Sequence, residues 1–370
     1  MKIVIDDRIP FIRGVFEPFA SVVYLPGKSI APADVADADA LIVRTRTRCD
    51  KALLGNSKVR FVATATIGFD HINADELTQC GIQWSNAPGC NAVSVKNYIA
   101  SALAAMDIPL SGKTMGIVGV GHVGSKVAVV AGAFGMNVLL NDPPRADREG
   151  REKFVELDEL LAKSDIVTLH VPLESGGKYP TVNMADEAFF RKMRSGAWFF
   201  NSCRGEAVQE NALTAAVDSG KLSGVLMDVW PGEPDMSRKL LDSVTFGTPH
   251  IAGYSADGKA NGTTASVRYI ADKLGIEELA DWRPGGLPEP VYPAVIDLAG
   301  CDSASEAVKK AVLHAYDIRR DTTALAGDPA QFEKLRGTYW VRREFSAYTV
   351  INAPEDAVES LKKLDFKVGI

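Results

Sequence analysis

Three short segments of this chain carry side chains that together can bind an acid and move a proton. FFNSCRGE holds Arg204, DVWPGEPD holds Asp228 and Glu233, and TPHIAGY holds His250. Each follows an apolar run (AWFFNS, GVLMDV, SVTFGTP) that reads as a buried strand. The three groups are therefore expected at the carboxyl ends of strands of one sheet, where open α/β folds bind ligands.

Of the five histidines, His250 has the best placement for proton transfer. His170 lies inside the apolar run IVTLHVP, His314 on an amphipathic helix and His122 in a glycine-rich loop, all three structural settings. His71, in the polar turn TIGFDHIN, keeps a claim to the acid/base role. An imidazole working near neutral pH needs its tautomer fixed by a carboxylate on the other ring nitrogen. Glu233, in a Pro-Gly turn, is expected to reach His250, while Asp228, at the strand end, faces the cofactor side. Arg204 can grip a carboxylate bidentately; the alternative is a surface ion pair with Glu206.

A redox partner is written in GIVGVGHVGSKVAVVAGAFGMNVLLND. Gly119, Gly121 and Gly124 stand in GxGxxG spacing directly after a strand and at the start of a helix. Such a loop cradles a pyrophosphate on the helix N-terminus, with Val123 among its backbone contacts. Asp142 ends the next strand, where a carboxylate accepts from a ribose diol and repels a 2′-phosphate; this favours NAD. Arg145 and Arg148 nearby leave NADP open. SGKT at 111–114 precedes the strand and lacks the upstream glycine of a Walker loop.

The elements that must position these groups follow a βα rhythm. KIVI, SVVYL, ALIVR, VRFVAT and IQWS alternate with helical stretches such as ADELTQCG, and a stronger βα series runs from TMGIVGV to SVTFGTPH. AVSVKNYIASALAAMD reads as a helix joining the two series, and SADGKANGTTASVRYIADKLG as a helix returning to the first. WRPGGLPEPVYP, rich in proline and glycine, reads as a linker. Beyond it SEAVKKAVLHAYDI and EDAVESLKKL read as helices and REFSAYTVINA as a strand. The expected fold class is α/β: two Rossmann-like, doubly wound parallel-sheet domains with a cleft between them, plus a small α+β carboxyl-terminal domain. The boundaries are 1–92 with 254–281, 93–253 and 282–370.

Composition sets bounds on function. The chain has 370 residues, 46% hydrophobic and 24% charged, which is ordinary for a globular protein of several domains. A net charge of −6 gives no bulk attraction to nucleic acid or an anionic membrane. The run of three apolar residues Ile3, Val4 and Ile5 before Asp6 and Asp7 is too short for a signal-peptide core. Five scattered cysteines without a CxxC pair suggest neither a disulfide framework nor a metal site. A cytoplasmic protein without a bound metal is the expectation.

GVGHVG, NSCRG, DVWPGEP and TPHIAGY, in this order, resemble the D-isomer-specific 2-hydroxyacid dehydrogenases. KIVIDDRIP, LPGKSI, ADADALIVRT, TATIGFDH, APGCNA, NDPPRAD, YDIRRD and KLR extend the resemblance over essentially the whole chain. It implies NAD-dependent oxidation of a phosphorylated 2-hydroxyacid at C2. Arg204, Glu233 and His250 match the family's catalytic residues. Cofactor contacts fall on Asp142, Val171, Ser202, Cys203, Arg204, Asp228 and Gly253, with Val171 contributing backbone only. Substrate contacts fall on Thr45, Thr66 and Tyr254, and Arg44 is the nearest candidate for the substrate phosphate. Arg46 and Arg48 would share a strand face with Arg44. The resemblance further implies a homodimer through the carboxyl-terminal domain, which would bring Arg342 or Arg343 to the partner's site.

Overall fold

The computed structural model describes residues 1–369 and divides into two compact units, 1–91 with 255–288, and 92–254 with the described residues from 289 onward. The first is built on a five-stranded parallel sheet: β1 (Lys2–Asp6), β2 (Ser21–Leu25), β3 (Ala40–Val43), β4 (Phe61–Thr64) and β5 (Gln83–Ser85), in the order β2-β1-β3-β4-β5. Side chains alternate between two cores, as the period of a strand dictates. Ile3, Ile5, Ala40, Ile42 and Phe61 enter one core; Val4, Leu41, Val43 and Val62 enter the other. The helix Ala256–Leu274 closes the first core with Val267, Ile270 and Ala271. Ser255 caps its start by accepting from Gly258 N–H (2.8 Å), and Gly275, at φ 69°, ends it.

The second unit holds a six-stranded parallel sheet: β6 (Thr114–Val118), β7 (Asn137–Asn141), β8 (Ile166–Leu169), β9 (Ala197–Asn201), β10 (Leu222–Met227) and β11 (Phe246–Gly247). Its order is β11-β10-β9-β8-β6-β7. The chain leaves β6 for β7 on one side and returns to β8 on the other, a topological switch point at the end of β6. Phe199 and Phe200 show the alternation: the first packs with Val167, Leu169 and Val225, the second with Met115, Ile117 and Leu226.

The carboxyl-terminal segment keeps its own three-stranded parallel sheet, β12 (Val295–Asp297), β13 (Thr349–Ile351) and β14 (Lys367–Val368), in the order β12-β13-β14. It shares a core with the preceding part of the unit. Ala307, Val308, Ala311, Val312 and Ala315 of the helix Ala304–Ala315 pack with Tyr98 and Leu103 of the helix Ala92–Ala105. That helix stops before YDI because Tyr316 is extended and Asp317 starts a new helix, Ile318–Gly327, by accepting from Arg319 N–H. REFSAYTVINA is strand only at Thr349–Ile351; a 3-10 turn, Phe345–Ala347, precedes it.

Among the described residues, no helix is long and apolar enough to cross a membrane, and no cluster of His, Cys, Asp or Glu could hold a metal ion.

Candidate active site

The carboxyl ends of β9, β10 and β11 are tied together by buried polar groups. At the end of β9, Asn201 is fully buried. Its Oδ1 accepts from Cys203 N–H (3.0 Å) and Sγ–H (3.1 Å), and its Nδ2 donates to Arg204 C=O (2.8 Å). An asparagine folding the chain back on itself in this way fixes the turn that carries Arg204. The Arg204 Nη1 donates to the Cys203 carbonyl (2.7 Å), and the side chain is half-buried. Gly205 is required by close approach rather than by its own turn. A Cβ there would lie 2.2 Å from the Trp230 carbonyl oxygen, so the β9 and β10 loops touch backbone to backbone.

After β10, Asp228 is 1% exposed and accepts from three donors: Thr248 Oγ1 (2.6 Å), Ile251 N–H (2.7 Å) and Ala252 N–H (2.8 Å). Tyr98 OH bonds the same Thr248 hydroxyl (2.6 Å), and Trp230 Nε1 donates to Thr248 C=O (2.9 Å). Burial raises the Asp228 pKa, against the lowering pull of His250 and of these hydrogen bonds. With three donors already bound, this carboxylate keeps about one further lone-pair position.

The turn it holds bears His250 at φ 56°, a left-handed conformation costing a histidine about 1–3 kcal/mol. His250 N–H donates to Asp228 C=O (2.8 Å), and Nδ1 is hydrogen-bonded to Glu233 Oε1 at 2.5 Å. Glu233 Oε2 also accepts from Trp230 N–H (3.2 Å). Burial pushes the Glu233 pKa up, but the hydrogen bond and charge of His250, the Trp230 N–H and the Arg336 charge outweigh it, and the net shift is downward. The pair leaves Nε2 as the ring atom for proton exchange. Nearby, Arg336 Nε donates to Tyr254 OH (3.1 Å).

The glycine loop follows β6. Gly119 has φ 86°, and a Cβ would lie 2.5 Å from the His170 carbonyl oxygen; at Gly124 it would lie 2.0 Å from the Gly119 carbonyl oxygen. At Gly121 a Cβ would meet no protein atom within 4 Å. Packing thus explains two glycines, and the bare backbone at the third suits a ligand's close approach. Val123 is the N-cap of the helix Gly124–Ala133, with no side-chain cap on its amides. Asp142 ties the loop to the end of β7, accepting from Val120 N–H (2.8 Å) and Arg145 N–H (3.0 Å). Arg145, weighed above as a 2′-phosphate ligand, is engaged by Glu149 and by the Val120 carbonyl (2.6 Å). Val171 borders the loop, its side chain 2.9 Å from a Cβ at Gly119. The buried Ser202 Oγ has no hydrogen-bond partner among the described residues. Burial raises the Cys203 thiol pKa, which disfavours its thiolate.

In the first unit, Arg44, Thr45 and Thr66 follow the ends of β3 and β4, beside that sheet's switch point between β1 and β3. Thr66 Oγ1 donates to Gly68 C=O (2.9 Å) and bonds Thr64 Oγ1 (2.8 Å), which also bonds His71 Nε2 (3.0 Å). Burial lowers the His71 pKa to about 4, a neutral ring held by a hydroxyl. The shared face expected for Arg44, Arg46 and Arg48 is not formed. The strand stops at Val43, residues 44–48 form a turn, and Arg48 pairs with Asp50 (3.0 Å). Arg342 is also not where a partner subunit would meet it: it is 1% exposed, and its Nη2 donates to the carbonyls of Ile251 (3.2 Å) and Ala252 (2.6 Å). Asn201, Tyr98, Thr248 and Arg336 escape a reading by motif, although an asparagine at a strand end is itself a turn signal.

Known proteins place this geometry in a class. Residues 91–252 match the D-isomer specific 2-hydroxyacid dehydrogenase NAD binding domain, and residues 287–364 match a domain of unknown function (DUF3410). The chain is 48% identical over 356 residues to an erythronate-4-phosphate dehydrogenase of Bacteroides fragilis, covering 95% of this chain and 99% of the relative. To the erythronate-4-phosphate dehydrogenase of an Escherichia coli strain it is 41% identical over 373 residues, covering 99% of this chain and 98% of the relative. Among solved structures, D-lactate dehydrogenase from Aquifex aeolicus, complexed with NAD and lactic acid, matches with a TM-score of 0.62 at 26% identity. The match covers 75% of this chain and 97% of that one. The chain belongs to the D-isomer specific 2-hydroxyacid dehydrogenases, which are NAD-dependent oxidoreductases, and within them to the erythronate-4-phosphate dehydrogenase family. The bare backbone at Gly121, the uncapped helix start and the unpartnered Ser202 hydroxyl fit the family's dinucleotide.

Proposed function

We propose that the protein oxidises 4-phospho-D-erythronate at C2 to (R)-3-hydroxy-2-oxo-4-phosphooxybutanoate, a step in vitamin B6 synthesis, in the cytoplasm. The observation that carries the chemistry is the 2.5 Å bond between His250 and Glu233, beside the Arg204 turn. The substrate follows from the relatives named above. NAD, when bound, supplies the hydride acceptor, held by Gly119, Gly121, Val123, Gly124, Asp142, Val171, Ser202, Cys203, Arg204, Asp228 and Gly253. His250 takes the C2 hydroxyl proton at Nε2, while Glu233 holds Nδ1 and stabilises the imidazolium. Arg204 grips the carboxylate and polarises the C2 oxygen. Arg44, Thr45, Thr66 and Tyr254 bind the rest of the substrate, with Arg44 on the phosphate. Residues 282–370 serve as a dimerisation domain.

NADH formation measured with 4-phosphoerythronate and with 3-phosphoglycerate tests the substrate; a higher kcat/KM for the second would overturn it. Sedimentation tests the dimer, and a monomer at micromolar concentration would remove that part alone.

A further inference from the structure

The turn bearing His250 is gripped from two sides by opposite charges. Its amides at Ile251 and Ala252 point to the Asp228 carboxylate, and its carbonyls at the same two residues accept from one nitrogen of Arg342. Arg342 comes from the carboxyl-terminal segment. That segment is anchored on the helix Ala92–Ala105 by Ser94 Oγ–H to Glu344 Oε1 (3.0 Å) and by Phe345 N–H to Asn97 Oδ1 (3.2 Å). The guanidinium lies over Tyr316 (4.5 Å to the ring centroid) and near Tyr339 (5.8 Å). Both phenols donate to Asp321 Oδ2, at 2.8 and 2.7 Å. Arg342 Nε and Nη1, though buried, make no hydrogen bond among the described residues.

Burying a cation costs several kcal/mol unless it is well paired, so two backbone carbonyls are an expensive use for one. What they hold is a histidine in a left-handed conformation, whose imidazole must stay within bonding distance of Glu233. We infer that Arg342 is a positioning residue for proton transfer, keeping the His250 turn aligned with Glu233 from the carboxyl-terminal segment of the same unit. This rests on reading His250 as the proton-transferring group. It also gives the segment whose family model is described as a domain of unknown function a part in holding the active site.

The test compares Arg342→Met, Arg342→Lys and Tyr316→Phe in the full chain. Tyr316→Phe loosens the same buried network while leaving an aromatic face beneath the guanidinium. The readouts are kcat at saturating substrates, NADH affinity by fluorescence, melting temperature, and hydrogen exchange at the Ile251 and Ala252 amides. Arg342→Met should lower kcat at least about tenfold and speed exchange by about as much, with NADH affinity within about twofold. Arg342→Lys should recover part of kcat, and Tyr316→Phe should lower the melting temperature with kcat within about twofold of wild type.

A kcat in Arg342→Met within about threefold of wild type, or an equal loss in Tyr316→Phe, overturns the proposal. If Arg342→Met does not fold, Arg342→Lys decides on the same readouts: lower kcat with faster exchange supports the role, and unchanged kcat removes it. Exchange needs no substrate. Slow exchange in Arg342→Met therefore sinks the Arg342 role alone, whereas a wild-type protein that oxidises no 2-hydroxyacid sinks the reading of His250.

Discussion

The two larger parallel sheets share a topology of switch points and carboxyl-end loops, yet those ends are built differently. After β3 the chain enters an exposed turn, where Thr45, Arg46 and Arg48 face solvent and Arg44 Nη1 donates to the Arg8 carbonyl (3.1 Å). After β9, β10 and β11 the turns close over buried groups: Asn201, Asp228 and Thr248 are each at most 1% exposed. Proton transfer needs a fixed geometry, because misplacement of a reacting group is costly in rate. Gripping a flexible phosphorylated chain asks only for reachable donors. On the function proposed above, one end serves as a preorganised reaction centre and the other as a recognition surface, and substitutions should sort the two by which quantity they move.

The largest loss is expected at His250. Asparagine tolerates a left-handed backbone, so His250→Asn removes the base while sparing the turn. It should lower kcat about 10²–10⁴-fold with melting temperature nearly unchanged, read by NADH absorbance and calorimetry. Turnover within about tenfold of wild type would remove the proton-transfer role.

Next comes Asp228→Ala, which strands three buried donors at about 1–3 kcal/mol each. It should therefore lower stability by at least about 3 kcal/mol as well as kcat. Thr66→Ala at the other sheet loses hydroxyl contacts to Gly68 and Thr64. There the main effect should be a KM rise of about tenfold, with stability down by only about 1 kcal/mol. Denaturant melts and initial rates check both, and equal stability losses would erase the contrast.

These contrasts follow the line between what local sequence carries and what it does not. Arg204, Glu233 and His250 are readable because each stands just past an apolar run, and a strand's period and its end are local properties. The Tyr98–Thr248 bond joins residues 150 apart, and the Arg342–Ala252 bond joins residues 90 apart. Nothing in either neighbourhood announces its partner. The RTRTR stretch misleads for a physical reason. Its alternation has the period of a strand, but a strand covered on both faces needs apolar side chains on both. Alternating arginine and threonine can only leave the sheet, and Thr47 Oγ1 donating to Gly27 C=O (2.9 Å) pins the departure.

A smaller effect separates glycines within one loop. Gly124→Ala forces a Cβ to within 2.0 Å of the Gly119 carbonyl oxygen and should destabilise the protein. Gly121→Ala meets no protein atom, so it should leave the melting temperature in place and raise the KM for NAD about tenfold, ~1.4 kcal/mol. Isothermal titration with NADH and thermal melts distinguish the two. A normal NADH affinity in Gly121→Ala would take the cofactor away from this backbone.

The smallest effect is expected from pH acting on the His250–Glu233 pair. Glu233 has its pKa lowered from an ordinary 4.5, with burial opposing the shift and the His250 bond and charge chief among the causes of it. A carboxyl that is more acidic folded than unfolded adds stability fully above its unfolded pKa, and loses it as pH falls through the folded value. The carboxylate's share of the melting-temperature gap between wild type and Glu233→Gln, of order 1 kcal/mol, should be present above the ordinary carboxyl range and close as pH falls through the lowered folded value. Glutamine keeps the shape and an acceptor oxygen but not the charge. A gap that persists unchanged into strong acid would therefore mean that the pair is held by packing and a neutral hydrogen bond. The carboxylate would then have no electrostatic part in orienting the ring, and the preorganisation that distinguishes this sheet end would rest on the Asp228 and Arg342 contacts to the turn.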